Sequence, residues 1–413
     1  MSAPPKAPAP ARTGYRHVLA VPEFRAVFAA HVLSLLGVVV SEIALSVLVY
    51  DLTGSPLMSA LAFAVGFLPY ALGGTLLAPV ADRFPARRVL VVCDLVCAAC
   101  VAAMVAPGAG VGVLLALRCC VAVVSPVFAG TRMATLADVL GDGDAFVLGR
   151  SLIRIVSQSA LLIGYGLGGL LLTAVSPRHA LLITVGTFLA SATLLRLGTR
   201  HRPARLRPER EKGGGTLGLL RNRRVLVLLL VFWVPAMFSV VPEALAAPYS
   251  DDLGAGSAGL GLLMCALPVG TIAGELFAGA RLGQATRERI VLPLLCLAVV
   301  PYLGYALSPG LWPSLLLLVL AGACSAYTLG LDQWFVRAVP EESRGRAMTL
   351  LSAGMMTIQG VGMAGAGALA EVVGVRGAVE AAGVAGTVCC VALAVACRVT
   401  ESRDGAARHM TGR

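Results

Sequence analysis

The sequence predicts an all-α integral membrane protein with twelve membrane-spanning helices, arranged as two six-helix halves related by a pseudo-two-fold axis. Three observations predict this fold class: the apolar composition, the number of long apolar stretches and an internal repeat. Of the 413 residues, 58% are hydrophobic and only 13% are charged, and the mean hydropathy is +0.85. Soluble globular chains have about 45 to 50% apolar residues, so this chain is expected to lie in a bilayer.

Apolar stretches long enough to cross a bilayer occur about twelve times. A helix needs roughly 20 apolar residues to cross about 30 Å of hydrocarbon. We number the predicted helices span 1 to span 12, with centres near residues 38, 68, 97, 121, 160, 188, 236, 268, 299, 325, 358 and 387. The connections are short, so no extracellular domain is expected.

Residue runs of the first half recur in the same order 196 to 199 positions later. The matching runs are Phe24-Arg25 with Arg223-Arg224, Tyr50 with Tyr249, Leu68-Pro69 with Leu267-Pro268, Gly149-Arg150 with Gly345-Arg346, and Gly164, Gly166 and Gly169 with Gly360, Gly362 and Gly365. Many secondary transporters use such repeats to build a central site that opens to alternate sides of the membrane. Duplication without transport is the alternative.

The repeat and the composition divide the chain into five segments. These are an N-terminal tail (1–23), an N-terminal half (24–198), a linker (199–222), a C-terminal half (223–398) and a C-terminal tail (399–413). The linker is rich in charge and proline and contains three consecutive glycines, which indicates a flexible connection. The N-terminal tail lacks the apolar core of a signal peptide, so we interpret it as a cytoplasmic tail.

The net charge of +11 reflects membrane topology rather than a nucleic-acid partner. The basic residues fall in alternate loops, with only Arg178 and Arg376 on the other side, which is the positive-inside pattern. The expected location is therefore the cell (cytoplasmic) membrane, with multiple spans, both termini cytoplasmic and membrane lipid as the surrounding partner.

The run GTLLAPVADRFPARRVL after span 2 carries a recognisable charged motif. It resembles the cytoplasmic signature of the major facilitator superfamily, G-x-x-x-D-R-x-G-R-R, through Asp82, Arg83, Arg87 and Arg88. The stretches ALSVLVYDLTGSPLMSALAF and VPEESRGRAMTL resemble a bacterial drug-exporter-like, proton-antiporter branch. The resemblance implies the major facilitator fold, alternating access and a cavity lined by spans 1, 4, 7 and 10.

The signature run predicts a gate on the cytoplasmic side. An acid at a helix end whose loop carries arginines can form a charge cluster that breaks when that side opens. Asp82 is the central residue of this prediction, and Asp138 at the foot of span 4 is the expected partner of Arg83 or Arg87. The alternative is that the arginines only set topology.

Span 5 contains the series Gly164-Tyr165-Gly166-Leu167-Gly168-Gly169. It resembles the G-P-x-x-G-G motif of proton-coupled antiporters, with tyrosine in place of proline, and so favours export. Close helix packing is the alternative explanation for the glycines.

Five charged residues lie inside predicted spans, namely Glu42, Asp94, Arg118, Glu243 and Asp332. A charge at mid-membrane costs roughly 2.5 to 3.5 kcal/mol on insertion scales, so each is a functional-site hypothesis. Glu42 and Arg118 are expected at similar depth, where an acid beside a cation can exchange its partner for a proton or a cationic substrate. A static buried pair is the alternative.

The other charges leave more than one interpretation open. Glu243, offset by 201 from Glu42, is either its repeat partner or a rim residue, and Asp94 faces either the cavity or a neighbouring helix. Arg118 occupies roughly the place of the span 4 arginine that the resemblance links to proton coupling. Asp332 is expected to belong to a gate or helix cap.

Aromatic and amide side chains in the expected cavity suggest a hydrophobic or amphipathic small-molecule substrate. These candidates are Tyr165, Trp233, Phe238, Tyr327 and Gln359. Ordinary packing is the alternative for each of them.

The sequence offers no motif for catalysis, a metal or a cofactor. Its two lysines end no phosphate-binding loop, so energy is expected from an ion gradient rather than from ATP. Cys93, Cys97 and Cys100 share a helix face, but no histidine or methionine ladder accompanies them, which argues against metal transport. We therefore expect proton-coupled efflux by a monomer, with uptake by symport, or a non-transporting receptor or scaffold, as alternatives.

Overall fold

A computed structural model of the protein describes residues 15–411, apart from 71–72, 74–76, 78–79, 81–82, 142–143, 203–219 and 340–343. Throughout the described residues, the regular elements are helices. The all-α fold class predicted from the sequence is therefore confirmed.

The N-terminal half consists of six spans, which follow a short helix in the N-terminal tail. The short helix Tyr15–Ala20 precedes them, and Pro22–Thr53 forms span 1. The helices of the remaining spans are Pro56–Phe67 at the start of span 2, Ala86–Met104 in span 3, Val111–Leu140 in span 4, Asp144–Ala174 in span 5 and Pro177–Gly198 in span 6.

The C-terminal half has more interruptions. Gly256–Arg281 forms span 8, and Arg344–Thr411 runs through spans 11 and 12 with one non-helical residue, Gly374, at φ 78° and ψ 166°. The remaining spans are broken into shorter helices. Span 7 consists of Arg223–Ser239, Val241–Ala244 and Ala246–Asp252. Span 9 consists of Gln284–Arg289, Val291–Leu297 and the 3₁₀ helix Val300–Leu307, and span 10 consists of Leu311–Cys324 and Tyr327–Ala338.

Seven helical stretches of the described chain are long and apolar enough to cross a membrane by themselves. One of them, Ala347–Val399, has 53 residues and bends at Gly374, so it supplies two spans. The predicted centres at 68, 299 and 325 fall on helix breaks. Pro69 and Pro301 explain the first two, because proline lacks the N–H that would donate to the carbonyl four residues earlier.

The internal repeat reappears in how helices pack. A methyl group on Gly73 would overlap the carbonyl of Val123, which brings spans 2 and 4 into backbone contact. A methyl group on Gly270 would overlap the carbonyl of Val319 in the same way, between spans 8 and 10. Small residues at both places allow close helix packing in the bilayer. In each half, a glycine thus permits the close contact between the corresponding spans, although Gly73 and Gly270 lie four and two residues after the matching prolines.

We call the end of the bundle that carries the turns at Gly54 and Gly374 the distal face, and the end that carries both chain termini the terminal face. At the distal face, Ser55 caps the helix of span 2 by accepting a 3.2 Å hydrogen bond from the amide of Met58. The Ser55 hydroxyl also donates to the carboxylate of Glu371 in span 11, and the amide of Leu57 donates to the same oxygen over 3.3 Å. These contacts hold the two halves together at the distal face.

At the terminal face the linker begins in an ordered contact with span 1. The Arg202 guanidinium donates to both carboxylate oxygens of Glu23, over 2.5 and 2.9 Å, and the amide of Arg200 donates to Glu23 over 2.9 Å. The first residues after span 6 are therefore anchored to the first turn of span 1.

Candidate functional site

Glu42 and Arg118 form an ion pair inside the N-terminal half. The Nη2 atom of Arg118 donates to Oε1 of Glu42, and the side chains are 5% and 14% exposed respectively. Glu42 lies eleven residues before the end of its helix, which places it roughly 16 Å from the distal end of span 1. The structure thus brings together the two residues that the sequence predicted to pair.

Span 2 leaves space for the arginine. A methyl group on Gly66 would overlap the Arg118 guanidinium, so the side chain of Arg118 lies directly over this glycine. Arg118 is 4% exposed as a whole residue, and its Nε atom has no hydrogen-bond partner. The guanidinium is therefore held by one carboxylate in a confined space, which makes the pair sensitive to the charge of Glu42.

A hydrogen bond between the halves lies close to this ion pair. The hydroxyl of Tyr165 in span 5 donates to Oε1 of Glu243 in span 7 over 2.5 Å. Glu243 belongs to the four-residue helix Val241–Ala244, which begins at a break in span 7 and has Pro242 in its first turn. Glu42 is close enough to interact electrostatically with both Tyr165 and Glu243.

Two carboxylates, one guanidinium and one phenol thus meet where spans 1, 4, 5 and 7 come together. With Glu42 and Glu243 both ionised, the group carries one more negative than positive charge. An uncompensated charge in hydrocarbon is costly, so a proton or a cation at one carboxylate stabilises the group. Such an arrangement can bind and release a proton as its surroundings change.

The predicted gate lies only partly within the described residues, because Asp82 is outside them. Arg83 and Arg88 are exposed, and the Arg87 guanidinium donates to the carbonyl of Thr199 at the end of span 6 over 3.4 Å. A cationic side chain near the last carbonyls of a helix is favourable. Asp138 interacts electrostatically with Arg202. The pairing of Asp138 with Arg83 or Arg87 stays a prediction.

The glycines of span 5 face two neighbouring helices. Methyl groups on Gly164 and Gly168 would overlap Val39 and Ile43 of span 1, whereas one on Gly169 would overlap the backbone of Gly261 in span 8. Gly166 also points toward span 8, where an added methyl group would touch the sulfur of Cys265 at 3.5 Å. The glycine series therefore packs one side of span 5 against span 1 and the opposite side against span 8 of the C-terminal half.

The other predicted cavity residues occupy the C-terminal half. The indole of Trp233 donates to the carbonyl of Leu351 over 3.0 Å. Phe238 packs against Gly386 of span 12, Tyr327 is buried at 5% exposure, and Gln359 is half-buried. Two of these aromatic rings thus contact helices of their own half, so packing accounts for part of their environment.

Sequence reasoning missed a second polar cluster around Asp94. The Ser34 and Ser191 hydroxyls donate to the two carboxylate oxygens of Asp94 over 3.2 and 2.6 Å. Nearby, the Arg132 guanidinium donates to His31 over 2.5 Å. His31 is a single histidine in an apolar span and Arg132 follows the predicted centre of span 4 by eleven residues, so neither stood out in the sequence.

Comparison with known proteins gives a family and a fold. The sequence profile described as Major Facilitator Superfamily matches residues 27–243 and 237–411. No curated protein sequence matches the chain.

Several solved structures are similar over nearly the whole chain. One is the nucleoside transporter NupG, with a TM-score of 0.73 and 14% identity, covering 90% of this chain and 98% of that one. The peptide transporter POT in complex with sulfate has a TM-score of 0.69 and 15% identity, covering 92% and 97%. A bacterial homolog of the human lysosomal transporter Spinster, in an inward-facing and unoccupied conformation, has a TM-score of 0.68 and 16% identity, covering 92% and 95%. At these identities the likeness shows the fold.

Proposed function

The chain belongs to the major facilitator superfamily of secondary transporters, and we propose that it moves a small hydrophobic or amphipathic molecule across the membrane in exchange for protons. The observation that carries the proposal is the ion pair between Glu42 and Arg118 beside the Tyr165–Glu243 hydrogen bond. Both halves contribute to this group, so movement of one half against the other changes its surroundings.

The proposed cycle follows from charge balance. When Glu42 is ionised, it pairs with Arg118; when it takes up a proton, Arg118 loses its carboxylate partner in a confined and mostly apolar place. Loss of one partner of a buried pair is strongly destabilising, by about 3 to 5 kcal/mol. Protonation therefore favours a rearrangement of spans 1 and 4, and this couples proton binding to the conformation of the transporter.

Energy from a proton gradient is sufficient for such a cycle. One elementary charge crossing 100 mV releases about 2.3 kcal/mol, which supports roughly a fiftyfold gradient of a neutral substrate in one-for-one exchange.

Export is the direction that we propose, in a cytoplasmic membrane with both termini in the cytoplasm. Its support is the glycine series of span 5 and its resemblance to the antiporter motif. In place of the motif's proline stands Tyr165, whose hydroxyl bonds to the other half. The likeness to NupG and to a POT peptide transporter leaves the substrate of this chain open, since it concerns the fold.

Accumulation of lipophilic fluorescent dyes in cells tests this proposal. Cells that express the protein should retain less dye than cells without it, and a protonophore should abolish the difference. Higher retention that the protonophore abolishes would instead support uptake by symport. Equal retention of a broad dye panel, with protein present in the membrane, would contradict the transport of such compounds and favour a receptor or scaffold.

A further inference from the structure

The N-terminal half contains a second buried polar cluster, nearer to the terminal face than the Glu42–Arg118 pair. His31 precedes Glu42 by eleven residues of the same helix, so the two lie about 16 Å apart along span 1. The cluster draws side chains from spans 1 to 6: His31, Ser34, Tyr70, Asp94, Arg132, Ser157 and Ser191.

The hydrogen bonds of His31 define its protonation state. The Arg132 guanidinium can only donate, so Nδ1 of His31 accepts its 2.5 Å hydrogen bond and carries no proton. Nε2 then carries the ring proton and donates to the hydroxyl oxygen of Ser157 over 2.8 Å. The Ser157 hydroxyl in turn donates to the carbonyl of Ile153 over 2.8 Å. Each bond is consistent with a neutral imidazole protonated at Nε2.

Arg132 is only partly satisfied in this arrangement. Its Nε atom is buried without a hydrogen-bond partner, and the guanidinium carbon lies 5.1 Å from the centre of the Phe128 ring. A buried donor without an acceptor is destabilising. The guanidinium also interacts electrostatically with Asp94 of span 3. The Asp94 carboxylate, which is a better hydrogen-bond acceptor than the neutral imidazole, is therefore close enough to interact electrostatically with Arg132.

Asp94 is buried, with 1% exposure, and two serine hydroxyls stabilise its carboxylate. The Ser191 hydroxyl lies within hydrogen-bond distance of both Asp94 and the carbonyl of Ala30, and its single proton can serve only one of them fully. The serine can therefore turn to the backbone and leave the Asp94 oxygen to a stronger donor.

Span 4 has a break in its hydrogen bonding between its two arginines. Pro126 lies inside the helix Val111–Leu140 and has no N–H to donate to the carbonyl four residues earlier. Helices bend at such positions. The part of span 4 that carries Arg132 can therefore move without moving Arg118.

We propose that His31 is a second proton-binding site, at which protonation transfers Arg132 from His31 to Asp94. A proton that binds Nδ1 uses the lone pair that accepts from Arg132, and it places two cations in contact. The guanidinium then leaves the imidazolium and donates to the Asp94 carboxylate, and the terminal part of span 4 moves with it. Loss of the proton restores the neutral imidazole and returns the arginine to it.

Among the described residues, the groups that face this site come from five neighbouring spans. Arg132 of span 4 and Asp94 of span 3 carry charge, Tyr70 of span 2 is titratable, and Ser157 and Ser191 of spans 5 and 6 supply hydroxyls. One cation and one anion flank a neutral histidine, so an added proton leaves the cluster with one surplus positive charge, and a shift of Arg132 to Asp94 separates the two cations.

Hydrogen–deuterium exchange of the substrate-free, full-length protein in nanodiscs tests the proposal without knowledge of the substrate. After correction for the intrinsic pH dependence of exchange, acidification from about pH 8 to about pH 5 should raise uptake in span 4 after Pro126. In the His31→Gln variant, whose amide can accept from Arg132 but takes up no proton, this increase should be lost. His179→Gln is the matched control, because His179 is exposed in the distal turn beside Ser176.

Two results would overturn the proposal: a wild-type protein whose span 4 shows no acid-dependent uptake, or a His31→Gln variant that keeps the full response. Nitrogen-15 NMR of labelled histidines supplies a second measurement on the wild-type protein. It should show one Nε2-protonated ring that titrates together with the exchange change, and a ring protonated at Nδ1 would also overturn the proposal. Glu42 is unchanged in His31→Gln and its partner Arg118 lies before Pro126, so loss of the response after Pro126 tests this proposal separately from the proposed transport mechanism.

Discussion

The hydroxyl of Tyr165 donates a 2.5 Å hydrogen bond to Glu243, and this bond joins span 5 of one half to span 7 of the other. It lies beside the ion pair of Glu42 and Arg118, within electrostatic range of Glu42. The group that we propose binds protons therefore lies at a junction between the two halves. In the proposed cycle, a change in charge there acts on the Tyr165–Glu243 contact, which must break when the distal face opens.

Removal of the phenol hydroxyl should loosen the distal face. In Tyr165→Phe the ring still packs, but the bond to the carboxylate is lost, and such bonds contribute about 1.5 to 3 kcal/mol. We expect the distal face to open more often, by about tenfold or more, with faster hydrogen–deuterium exchange of the turns at Gly54 and Gly374. Tyr302→Phe is the control, because its 3.1 Å bond to the carbonyl of Ser239 lies within one half. Equal exchange in both variants would contradict this role for Tyr165.

Neutralisation of Glu42 should uncouple transport from protons. Glu42→Gln removes the proton-binding group and keeps the shape of the side chain, so substrate exchange across the membrane should continue while accumulation driven by a proton gradient is lost. Asp252→Asn removes an exposed acid of the distal turn and should leave accumulation unchanged. Gradient-driven accumulation at the wild-type level in Glu42→Gln would mean that the ion pair is static.

Displacement of Arg118 should also reduce transport driven by a proton gradient, although no charged residue is replaced. In Gly66→Ala the new methyl group occupies the position of the guanidinium, and overpacking of this kind costs about 1 to 3 kcal/mol. Gradient-driven transport and thermal stability should both fall. Gly186→Ala in span 6 meets no atom within 4 Å and should leave both unchanged. A fully active Gly66→Ala protein would show that the position of Arg118 is not required.

The contact between spans 5 and 8 should depend on Gly169. In Gly169→Ala the methyl group overlaps the backbone of Gly261, so closure of the distal face is hindered and turnover should fall several-fold. Gly365, the repeat counterpart of Gly169, has no atom within 4 Å of an added methyl group. Gly365→Ala should therefore keep its activity, and equal loss of activity in the two variants would contradict a specific role for the Gly169 contact.

Much of the fold followed from the sequence because apolar length is a local signal and the repeat is visible directly along the chain. The helix breaks near residues 299 and 325 were harder to predict, because the sequence stays apolar through them. The Glu42–Arg118 pair was predictable because the two residues lie at similar depth in spans 1 and 4. The Tyr165–Glu243 bond was not, because its partners come from different halves and only the packing of those halves brings them together. His31 and Arg132 escaped notice for a different reason: His31 is a single histidine in an apolar span, and Arg132 lies eleven residues beyond the predicted centre of span 4.

In the mechanism that we propose, transport moves protons through the group around Glu42. The most direct test of this mechanism is the internal pH of proteoliposomes that hold the purified protein, recorded while lipophilic cations, antibiotics and siderophores are added one at a time. At least one compound should trigger proton movement opposite to its own, and Glu42→Gln should abolish this signal. Transport of a compound with no accompanying pH change in the wild-type protein would contradict this mechanism.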